Sequence, residues 1–473
     1  MLYYKINEFS EVKGGQNVIR DREFYKTIFR ISLPAAFQAL VSFLVVVADD
    51  IMVSKLPGGA SAQAAVTQVN SLTAFYTATL TGLVSGSSVL IAQYWGKRDM
   101  TRIRKVFSIV FWICIMLALV FTLVARLFPG TVTGLVISAK EAQVSELARE
   151  YLRIACLTFL PYAVTTSLIG MLRSIEVVKI TLVTTVVALA LNISLNALLI
   201  FGLCGFPALG VSGAAIATLI TRIVEMAMVV AYTFCIQKQL AIKPKNLLEI
   251  DRTLARDYAR YGLPVGLTDM QWSLIGILKS AIIGQMGVAF MAANSIASSM
   301  ANLGTMFTFA LAGGACVVVG KAVGKGDYDA AREYSKTIQL MFLMIGIAMA
   351  ALVFALRVPF TRLYGSAKDP EVYSLATTMI AILAFTLIGT SYHASCFIGI
   401  NRGAGDSRFV AMVDSICGWL IVIPATALCA FVFKAPLPVV FLATRVDQCF
   451  KWVIAMLRLR GDKWIRNVTR EET

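Results

Sequence analysis

Charged residues and histidine are scarce in this chain. Of its 473 residues, 15% are charged and one is histidine, whereas soluble proteins carry about 25% charged residues. Because 58% of the residues are hydrophobic, a folded soluble domain would have too few polar side chains to cover its surface. A single histidine also argues against a zinc centre or a Ser-His-Asp catalytic site.

Motifs for nucleotide and redox chemistry are missing as well. The stretch from Gly314 to Gly320-Lys321 comes nearest to a phosphate-binding loop, but its spacing is wrong and no Ser or Thr follows. None of the nine cysteines forms a Cys-x-x-Cys pair, so we expect neither disulfides nor a metal site. The first thirty residues hold no apolar run, which argues against a cleavable signal peptide. We therefore expect no enzyme activity, no ATP and no organic cofactor.

Long apolar runs are what the chain has in abundance. A bilayer core of about 30 Å needs about 20 apolar residues per helix. Twelve such runs lie near 28–52, 64–93, 106–127, 152–172, 180–202, 208–236, 260–285, 291–320, 337–357, 372–398, 408–432 and 436–458. The formal net charge of +16 is confined to short stretches between these runs. We therefore expect membrane lipid, and no nucleic acid, around the chain.

The sequence also repeats itself. Gly86 and Gly96 match Gly314 and Gly324 at an offset of 228 residues. Further identical pairs at nearly the same offset are Pro34 with Pro264 and Arg173 with Arg402. Two apolar copies joined head to tail are typical of secondary transporters, whose substrate site lies where the repeats meet. Six spans per copy is an even number, so the copies enter the membrane from the same side.

These features predict an all-α membrane protein with twelve transmembrane helices in two six-helix lobes, related by a pseudo-twofold axis along the membrane normal. The predicted segments are an N-terminal segment 1–27, an N-lobe 28–236, a linker 237–259, a C-lobe 260–458 and a tail 459–473. The linker is expected to hold an amphipathic surface helix, and the charged tail is expected to be loose. The termini and even-numbered loops hold roughly 30 Lys and Arg against roughly 9 elsewhere, so both termini are expected in the cytoplasm of a bacterial cell.

Two spans carry stripes of hydroxyls and amides at helical spacing. The stripe in the second span is Thr73, Thr77, Thr81 and Ser85, and the stripe in the eighth is Asn294, Ser298 and Asn302. A spacing of four residues places each set on one face of its helix. Two interpretations stay open: helix packing with local backbone hydrogen bonds, or the wall of a water-filled substrate cavity.

Several motifs resemble one family. Those motifs are Ala48-Asp49-Asp50-Ile51-Met52-Val53, Ala92-Gln93-Tyr94-Trp95-Gly96, Leu172-Arg173-Ser174, Asn192-Ile-Ser-Leu-Asn196 and Gly210-Val-Ser-Gly213-Ala-Ala-Ile-Ala-Thr218. In this order they resemble the multidrug and toxin extrusion (MATE) family, in particular its bacterial NorM-like and DinF-like antiporters. The resemblance covers nearly the whole chain.

The resemblance implies a two-lobed antiporter that exports cationic, amphipathic small molecules in exchange for H⁺ or Na⁺. By position, Asp49 is the carboxylate of the ion site, with Asn192 and Asn196 as its amide partners. Pro34 is expected to be the bend of a first helix that changes shape. No metal other than Na⁺ at Asp49 is implied, and the antiporter is expected to act as a monomer.

The C-lobe departs from the family pattern. Some members of the family bind sodium in the C-lobe through acidic residues. Trp272 and Ser391 stand at those positions here, so the C-lobe sodium site cannot be transferred to this chain. Asp269, His393 and Asp414 instead lie at similar depth in three spans, where a charge costs at least a few kcal/mol. They form either a second titratable cluster that meets protons or substrate, with Trp272 one turn beyond Asp269, or a static polar network.

Two further sets of charges are expected to be self-contained ion pairs, each within one helix. They are Arg222 with Glu225 in the sixth span and Asp447 with Lys451 in the twelfth.

Other functions remain as alternatives. A flippase for lipid-linked precursors could use the same fold, but it should hold pyrophosphate in a broad basic cavity, whereas the polar stripes here are neutral. A uniporter or channel without ion coupling is the second alternative. A membrane enzyme or receptor fits poorly with the internal repeat and the missing catalytic residues.

Overall fold

A computed structural model describes residues 22–54, 56, 59–134, 142–205, 207–240, 242–363 and 369–470 of the protein. Within these ranges every regular element is helical. Most of the predicted N-terminal segment, residues 1–21, lies outside the described part, as do the last three residues of the tail.

The first repeat contains six long helical segments. They are α1 (Arg22–Ser54), α2 (Gly59–Lys97), α3 (Met100–Leu127), α4 (Ala142–Ala155 and Phe159–Ser174, joined by the 3-10 turn Cys156–Thr158), α5 (Lys179–Phe201) and α6 (Gly210–Ala231, extended by the π-helical turn Tyr232–Ile236). A short α-helical turn, Pro129–Gly134, follows α3, and a 3-10 turn, Leu203–Gly205, follows α5.

The second repeat follows the linker and again contains six segments. They are α7 (Leu263–Gly284), α8 (Val288–Lys325), α9 (Tyr328–Leu363), α10 (Pro370–Ala394, extended by the π-helical turn Ser395–Arg402), α11 (from Ser407–Ser415 through Ile416–Val422 and Ile423–Ala427 to Leu428–Val432) and α12 (Leu437–Ala443, Val446–Cys449 and Lys451–Leu459).

Ten of these segments are long and apolar enough to cross a membrane. The remaining two, α7 and α12, complete the predicted set of twelve. α7 carries Asp269 and Lys279, and α12 is broken by the 3-10 turn Val446–Cys449, whereas its counterpart α6 is continuous. The repeats therefore share a helix count but differ in helix geometry.

Several helices are longer than the apolar runs that predicted them. α8 continues past the run 291–320 to Lys325 and stops where Gly326 adopts a left-handed conformation with φ of 80°. Hydrophobicity identifies the part of a helix that lies in lipid, but the helix itself continues until its backbone is capped. The predicted boundaries therefore underestimate the helical length.

The repeated glycines lie where the two repeats touch. Gly96 on α2 packs against the backbone of Lys321 on α8, and Gly324 on α8 packs against the backbone of Gln93 on α2. The other repeated pair behaves in the same way, because Gly86 meets Gly262 before α7 and Gly314 meets Ser32 on α1. Without a Cβ, the backbones of these helices approach closely. We call the side of the bundle with Lys97, Lys325 and the tail the tail face.

The tail is docked on this face, so the expectation of a loose tail is wrong. Residue Trp464 is 2% exposed. The side chain of Gln93 on α2 accepts from the Val468 amide at 2.8 Å and donates to the Gly403 and Arg466 carbonyls at 3.1 and 3.2 Å. These bonds join α2 to the end of α10 and to the tail. The tail is ordered because it completes the hydrogen bonds of the buried Gln93 side chain, which the two repeats alone leave incomplete.

The tail also binds the linker. The Arg470 guanidinium makes a two-pronged ion pair with Asp257, at 2.7 and 3.0 Å. That hydrogen-bonded carboxylate raises the pKa of Arg470, so the arginine stays charged throughout the physiological range. The tail thus connects the C-lobe to the segment between the lobes.

The linker forms a 3-10 turn (Pro244–Leu248) and the helix Arg252–Tyr261. Asp251 caps this helix by accepting from the Thr253 and Leu254 amides, and the hydroxyl of Thr253 helps to lower the pKa of Asp251 to about 2. Tyr258 on its buried face donates to the Leu83 carbonyl at 2.9 Å. The linker helix therefore packs against α2 with its apolar side.

Adding a methyl group at Gly324 tests the contact between the lobes. A Cβ on Gly324 would fall inside contact distance of the Gln93 backbone, so Gly324→Ala should destabilise the protein in detergent by about 2 kcal/mol. Gly276→Ala is the control, because among the described residues no atom outside its own helix lies within 4 Å of its Cβ, and it should be neutral or slightly stabilising. Equal thermal stability of the two variants would contradict the described packing.

Candidate functional site

A cavity of about 560 Å³ lies inside the N-lobe, between α1, α2, α4, α5 and α6. Its walls combine aromatic rings with polar and charged side chains. The charged and amide groups that line it are Gln38, Asp49, Asn70, Arg173, Asn192, Arg222 and Glu225. Such a chamber offers both apolar surface and hydrogen-bonding groups to a ligand of drug size.

The predicted ion-site residues come together on this wall. The amide of Asn196 donates a short hydrogen bond to Asp49 Oδ1 and a second one, at 3.1 Å, to Asn192 Oδ1. The two asparagines lie one turn apart on α5, so both amides face α1. Asp49 thus accepts from the Asn196 amide, which is in turn bonded to Asn192.

Oxygens without a hydrogen donor lie on the cavity wall and beside Asp49. Thr165 Oγ1 and Thr185 Oγ1 on the cavity wall, and Asn196 Oδ1 beside Asp49, have no hydrogen-bond partner among the described residues. Carboxylate, amide and hydroxyl oxygens are also the groups that bind hard cations and water. These oxygens therefore suit a proton carried by water, or a sodium ion.

The polar stripe of α2 lines the same cavity. Thr73, Thr77, Thr81 and Ser85 all lie on its wall. The hydroxyls of the three threonines also bond to their own helix, as when Thr77 donates to the Ala74 carbonyl at 3.0 Å. The local hydrogen bonds of the first interpretation are therefore present. The stripe also lines a cavity, and the use of that cavity by substrate stays a prediction. The stripe of α8 differs, because Asn294 and Ser298 do not line this cavity.

The predicted ion pair of α6 is present and forms part of the cavity wall. Arg222 binds Glu225 at 2.8 Å, and its guanidinium stacks over the Tyr162 ring at 5.0 Å. Tyr76 and Phe159 stack nearby with their ring centroids 4.4 Å apart. The pair therefore neutralises itself and leaves an aromatic surface beside it.

Arg173 and Pro34 complete the description of this lobe. Arg173 lines the cavity, and its guanidinium donates to the Gln38 side-chain oxygen at 3.2 Å. Pro34 is buried within the continuous helix α1, where it removes one backbone donor from the helical ladder.

The three predicted titratable groups of the C-lobe have separate partners. Asp269 binds Arg402 at 3.0 Å, and Asp414 binds Lys451 at 2.7 Å. His393 Nδ1 lies 3.0 Å from the Gly389 carbonyl, which is a hydrogen bond within its own helix. In the part of the chain that is described, no hydrogen bond joins any two of the three predicted residues.

Lys451 is not confined to a pair within α12, so that expectation is wrong. Its ammonium binds Asp447 on α12 at 3.1 Å and also Asp414 on α11. It lies 4.4 Å from the centre of the Trp272 ring, and its side chain is 2% exposed. The predicted cavity residue Trp272 therefore packs against this cation, since a buried lysine needs more than one neutralising contact.

Sequence reasoning missed Arg173, Gln38 and Lys451 as site residues. Arg173 stands out in the sequence only as part of the repeat and of a family motif, and Gln38 carries no spacing signal. The contact of Lys451 with Asp414 joins two helices and depends on their packing. A sequence pattern within one helix cannot reveal such a contact.

Comparison with known proteins places these features in one family. The family model described as MatE matches this chain twice, at residues 34–198 and 264–428. The two matches are offset by 230 residues, in agreement with the internal repeat. A protein named "Probable multidrug resistance protein NorM" from Rhizobium meliloti is 27% identical over 87% of this chain and 88% of its own length.

A relative with a different name is "Uncharacterized transporter YisQ" from Bacillus subtilis, which is 22% identical over 93% of this chain and 95% of its own length. Among solved structures, "Crystal structure of MATE in the bent conformation" aligns with a TM-score of 0.81 and 20% identity over 92% of this chain and 95% of that one. A transporter from Pyrococcus furiosus, whose structure is titled "Reverse polarity of binding pocket suggests different function of a MOP superfamily transporter", aligns at 0.83 and 21% identity over 95% and 98%. These likenesses support the two-lobed, twelve-helix fold.

Removing the ammonium of Lys451 tests the C-lobe network. Lys451→Met should cost about 3 kcal/mol or more in apparent unfolding free energy, because two buried carboxylates lose their counter-charge. Neutralising both carboxylates as well, with Asp414→Asn and Asp447→Asn, should restore most of that loss. If thermal unfolding of the triple variant is no better than that of Lys451→Met, the described network is wrong.

Proposed function

The chain belongs to the MatE family, and we propose that it exports cationic, amphipathic small molecules across a bacterial inner membrane in exchange for H⁺ or Na⁺. Members of this family are transporters, and curated relatives carry the name of multidrug resistance proteins. The observation that carries the proposal is the Asp49 carboxylate, which lies on the wall of a substrate-sized cavity and accepts a hydrogen bond from the Asn196 amide, itself bonded to Asn192.

The proposed exchange uses the charge of Asp49. A carboxylate within the membrane needs a cation nearby, and H⁺, Na⁺ or the cationic group of a substrate can each fill that role. Asn196 orients the carboxylate, Asn192 orients Asn196, and neither amide carries a net charge. Binding of one cation therefore weakens binding of the other, which is the condition for exchange.

The remaining cavity wall suits the body of an amphiphile. Tyr76, Phe159 and Tyr162 provide apolar faces, and aromatic faces also attract cations. The hydroxyls of α2 provide weak, adaptable contacts. This mixture supports affinity for a class of molecules more than for one compound.

A gradient of the coupling ion can drive such a cycle without nucleotide. Exchange of one cation for one cation moves no net charge, so a tenfold ion gradient, worth about 1.4 kcal/mol, supports about tenfold accumulation of substrate. Protonation of Asp49, or ion binding there, would rearrange α1 around Pro34, where one backbone hydrogen bond is already missing.

The orientation and assembly are part of the same proposal. Excess Lys and Arg at the termini and even-numbered loops favour a cytoplasmic tail face. The glycine contacts at that face would then close the cytoplasmic side while the lobes are in this arrangement. Because the cavity and the ion site lie within one chain, the transporter can act as a monomer.

Asp49→Asn tests the coupling. Uptake of a fluorescent cation into everted vesicles, with proton and sodium gradients imposed separately, should respond to one gradient in the wild type. The variant should lose that response by about tenfold or more, because an amide cannot exchange cations. Asp329→Asn is the control, since this carboxylate is 93% exposed and should leave uptake unchanged.

Two outcomes would contradict the proposal. Wild-type transport that ignores both gradients would indicate a uniporter. An Asp49→Asn variant that is still driven by the same gradient would exclude Asp49 as the coupling residue.

A further inference from the structure

The tail has two parts, which are bound to different lobes. We call residues 462–466 the tail base, and this part is anchored to the C-lobe. The Arg466 amide donates to the Ala404 carbonyl beyond α10 at 2.8 Å. Arg458 and Arg466 both bind Asp406, at 2.7 and 3.2 Å, and this carboxylate is 0% exposed. Separating a buried carboxylate from its cations is strongly unfavourable, so the tail base stays with the C-lobe.

We call residues 467–470 the tail end, and this part is bound to the N-lobe and the linker. The Arg470 carbonyl accepts from the Lys97 ammonium at 3.2 Å and from the Arg102 guanidinium at 2.9 Å, beside the turn between α2 and α3. The Arg470 guanidinium binds Asp257 on the linker helix, and the arginine side chain is 46% exposed. Exposed contacts of this kind contribute little to stability and exchange readily with water. The tail end is therefore held less firmly than the tail base.

The tail end also completes one of two contacts that are related by the internal repeat. Gln93 and Lys321 are repeat partners at the offset of 228 residues. Each reaches the opposite lobe, because Gln93 on α2 donates to the Gly403 carbonyl after α10, and Lys321 on α8 binds Glu176 after α4. The Lys321 contact is a direct ion pair between the lobes. The Gln93 side chain additionally accepts from the Val468 amide of the tail end at 2.8 Å.

We propose that the tail end is a releasable latch, which holds the lobes together at the tail face and leaves the N-lobe when that face opens. The chain reaches the tail base through α12, so the tail moves with the C-lobe. Separation of the lobes must then break either the buried anchors of the tail base or the exposed contacts of the tail end. The exposed contacts break first, because their charged groups are readily hydrated.

This inference rests on the proposed function, because only a transporter whose lobes separate at the tail face needs to release such a contact in each cycle. An exposed ion pair shifts an equilibrium by up to about fivefold. A latch of that strength favours the closed arrangement without preventing its opening. The tail thereby adjusts how often the tail face opens.

Ser32→Cys provides a reporter for opening of this face. Ser32 on α1 is 0% exposed and lies against Gly314 on α8, so its side chain becomes accessible only when the lobes separate. Purified protein in detergent is treated with a maleimide, and mass spectrometry reads each cysteine separately. The exposed Cys235 is the reference for complete labelling, and Cys114, buried in the N-lobe, reports unfolding. When closing is faster than labelling, the labelling rate measures the open population.

Arg470→Gln and Asp257→Asn each remove one partner of the latch. Either change should raise the labelling rate at position 32 by about threefold to fivefold and leave Cys114 unchanged. The two changes together should give no further increase, because both break the same ion pair. Lys463→Gln is the matched control, since it removes the same charge from an exposed side chain of the tail base and should leave labelling unchanged.

A reversible cross-link tests the latch in the opposite direction. Asp257→Cys combined with Arg470→Cys is joined by a bifunctional thiosulfonate reagent in everted vesicles. The cross-link should stop uptake of the fluorescent cation ethidium, and reduction should restore uptake. The two single-cysteine variants, treated with the same reagent, should keep their uptake.

Three results would overturn the latch. They are unchanged labelling at position 32 in both Arg470→Gln and Asp257→Asn, an equal rise in labelling at Cys114, and uptake that continues after cross-linking. Labelling needs neither a transported compound nor an ion gradient, so it decides on the latch even if ethidium is not carried. Transport that ignores both gradients would refute the coupling and leave the labelling result standing, so the two failures are distinguishable.

Discussion

A charge buried within a bilayer must be balanced by another group of the protein, by a proton or by a ligand. The two lobes meet this requirement differently. In the C-lobe, Lys451 lies between Asp414 and Asp447, and Arg402 is paired with Asp269. In the N-lobe, Asp49 and Arg173 are held by the amides of Asn196 and Gln38. Amides fix the direction of a charged side chain and carry no net charge of their own.

This difference supports the proposal that the two repeats have different tasks. The C-lobe carboxylates are held in internal ion pairs, and the break in α12 at Val446–Cys449 is where Asp447 enters its network. An N-lobe with a cavity can exchange ligands. The glycine contacts between α2 and α8 hold the lobes together at the tail face, and the tail adds polar bonds across it. Motion of the lobes relative to each other would have to break these contacts.

The sequence predicted the features that depend on one helix or on a repeated pattern. Twelve apolar runs, the paired glycines and the stripe at Thr73 to Ser85 are of this kind, because hydrophobicity and helical period act locally. The meeting of Asp49 with Asn196 came from the family resemblance and not from periodicity. The fold could therefore be predicted almost completely, and one half of the candidate site with it.

Features that depend on packing between distant segments could not be predicted. Lys451 finds Asp414 because two helices approach, and a long lysine side chain can adopt several directions until they do. The tail looked loose because it is short and charged, yet Gln93 and Asp257 offer it buried or fixed partners. Helix ends were misplaced since caps, and not apolar content, terminate helices.

We propose above all that binding of substrate displaces a cation from Asp49. Linkage then requires release of about one H⁺ or Na⁺ per molecule of substrate bound. Calorimetric titration in buffers of different ionisation enthalpy counts protons, and displacement of radioactive sodium counts the other ion. The account predicts about one cation released by the wild type and none by Asp49→Asn. Substrate binding to the wild type with neither ion released would contradict it.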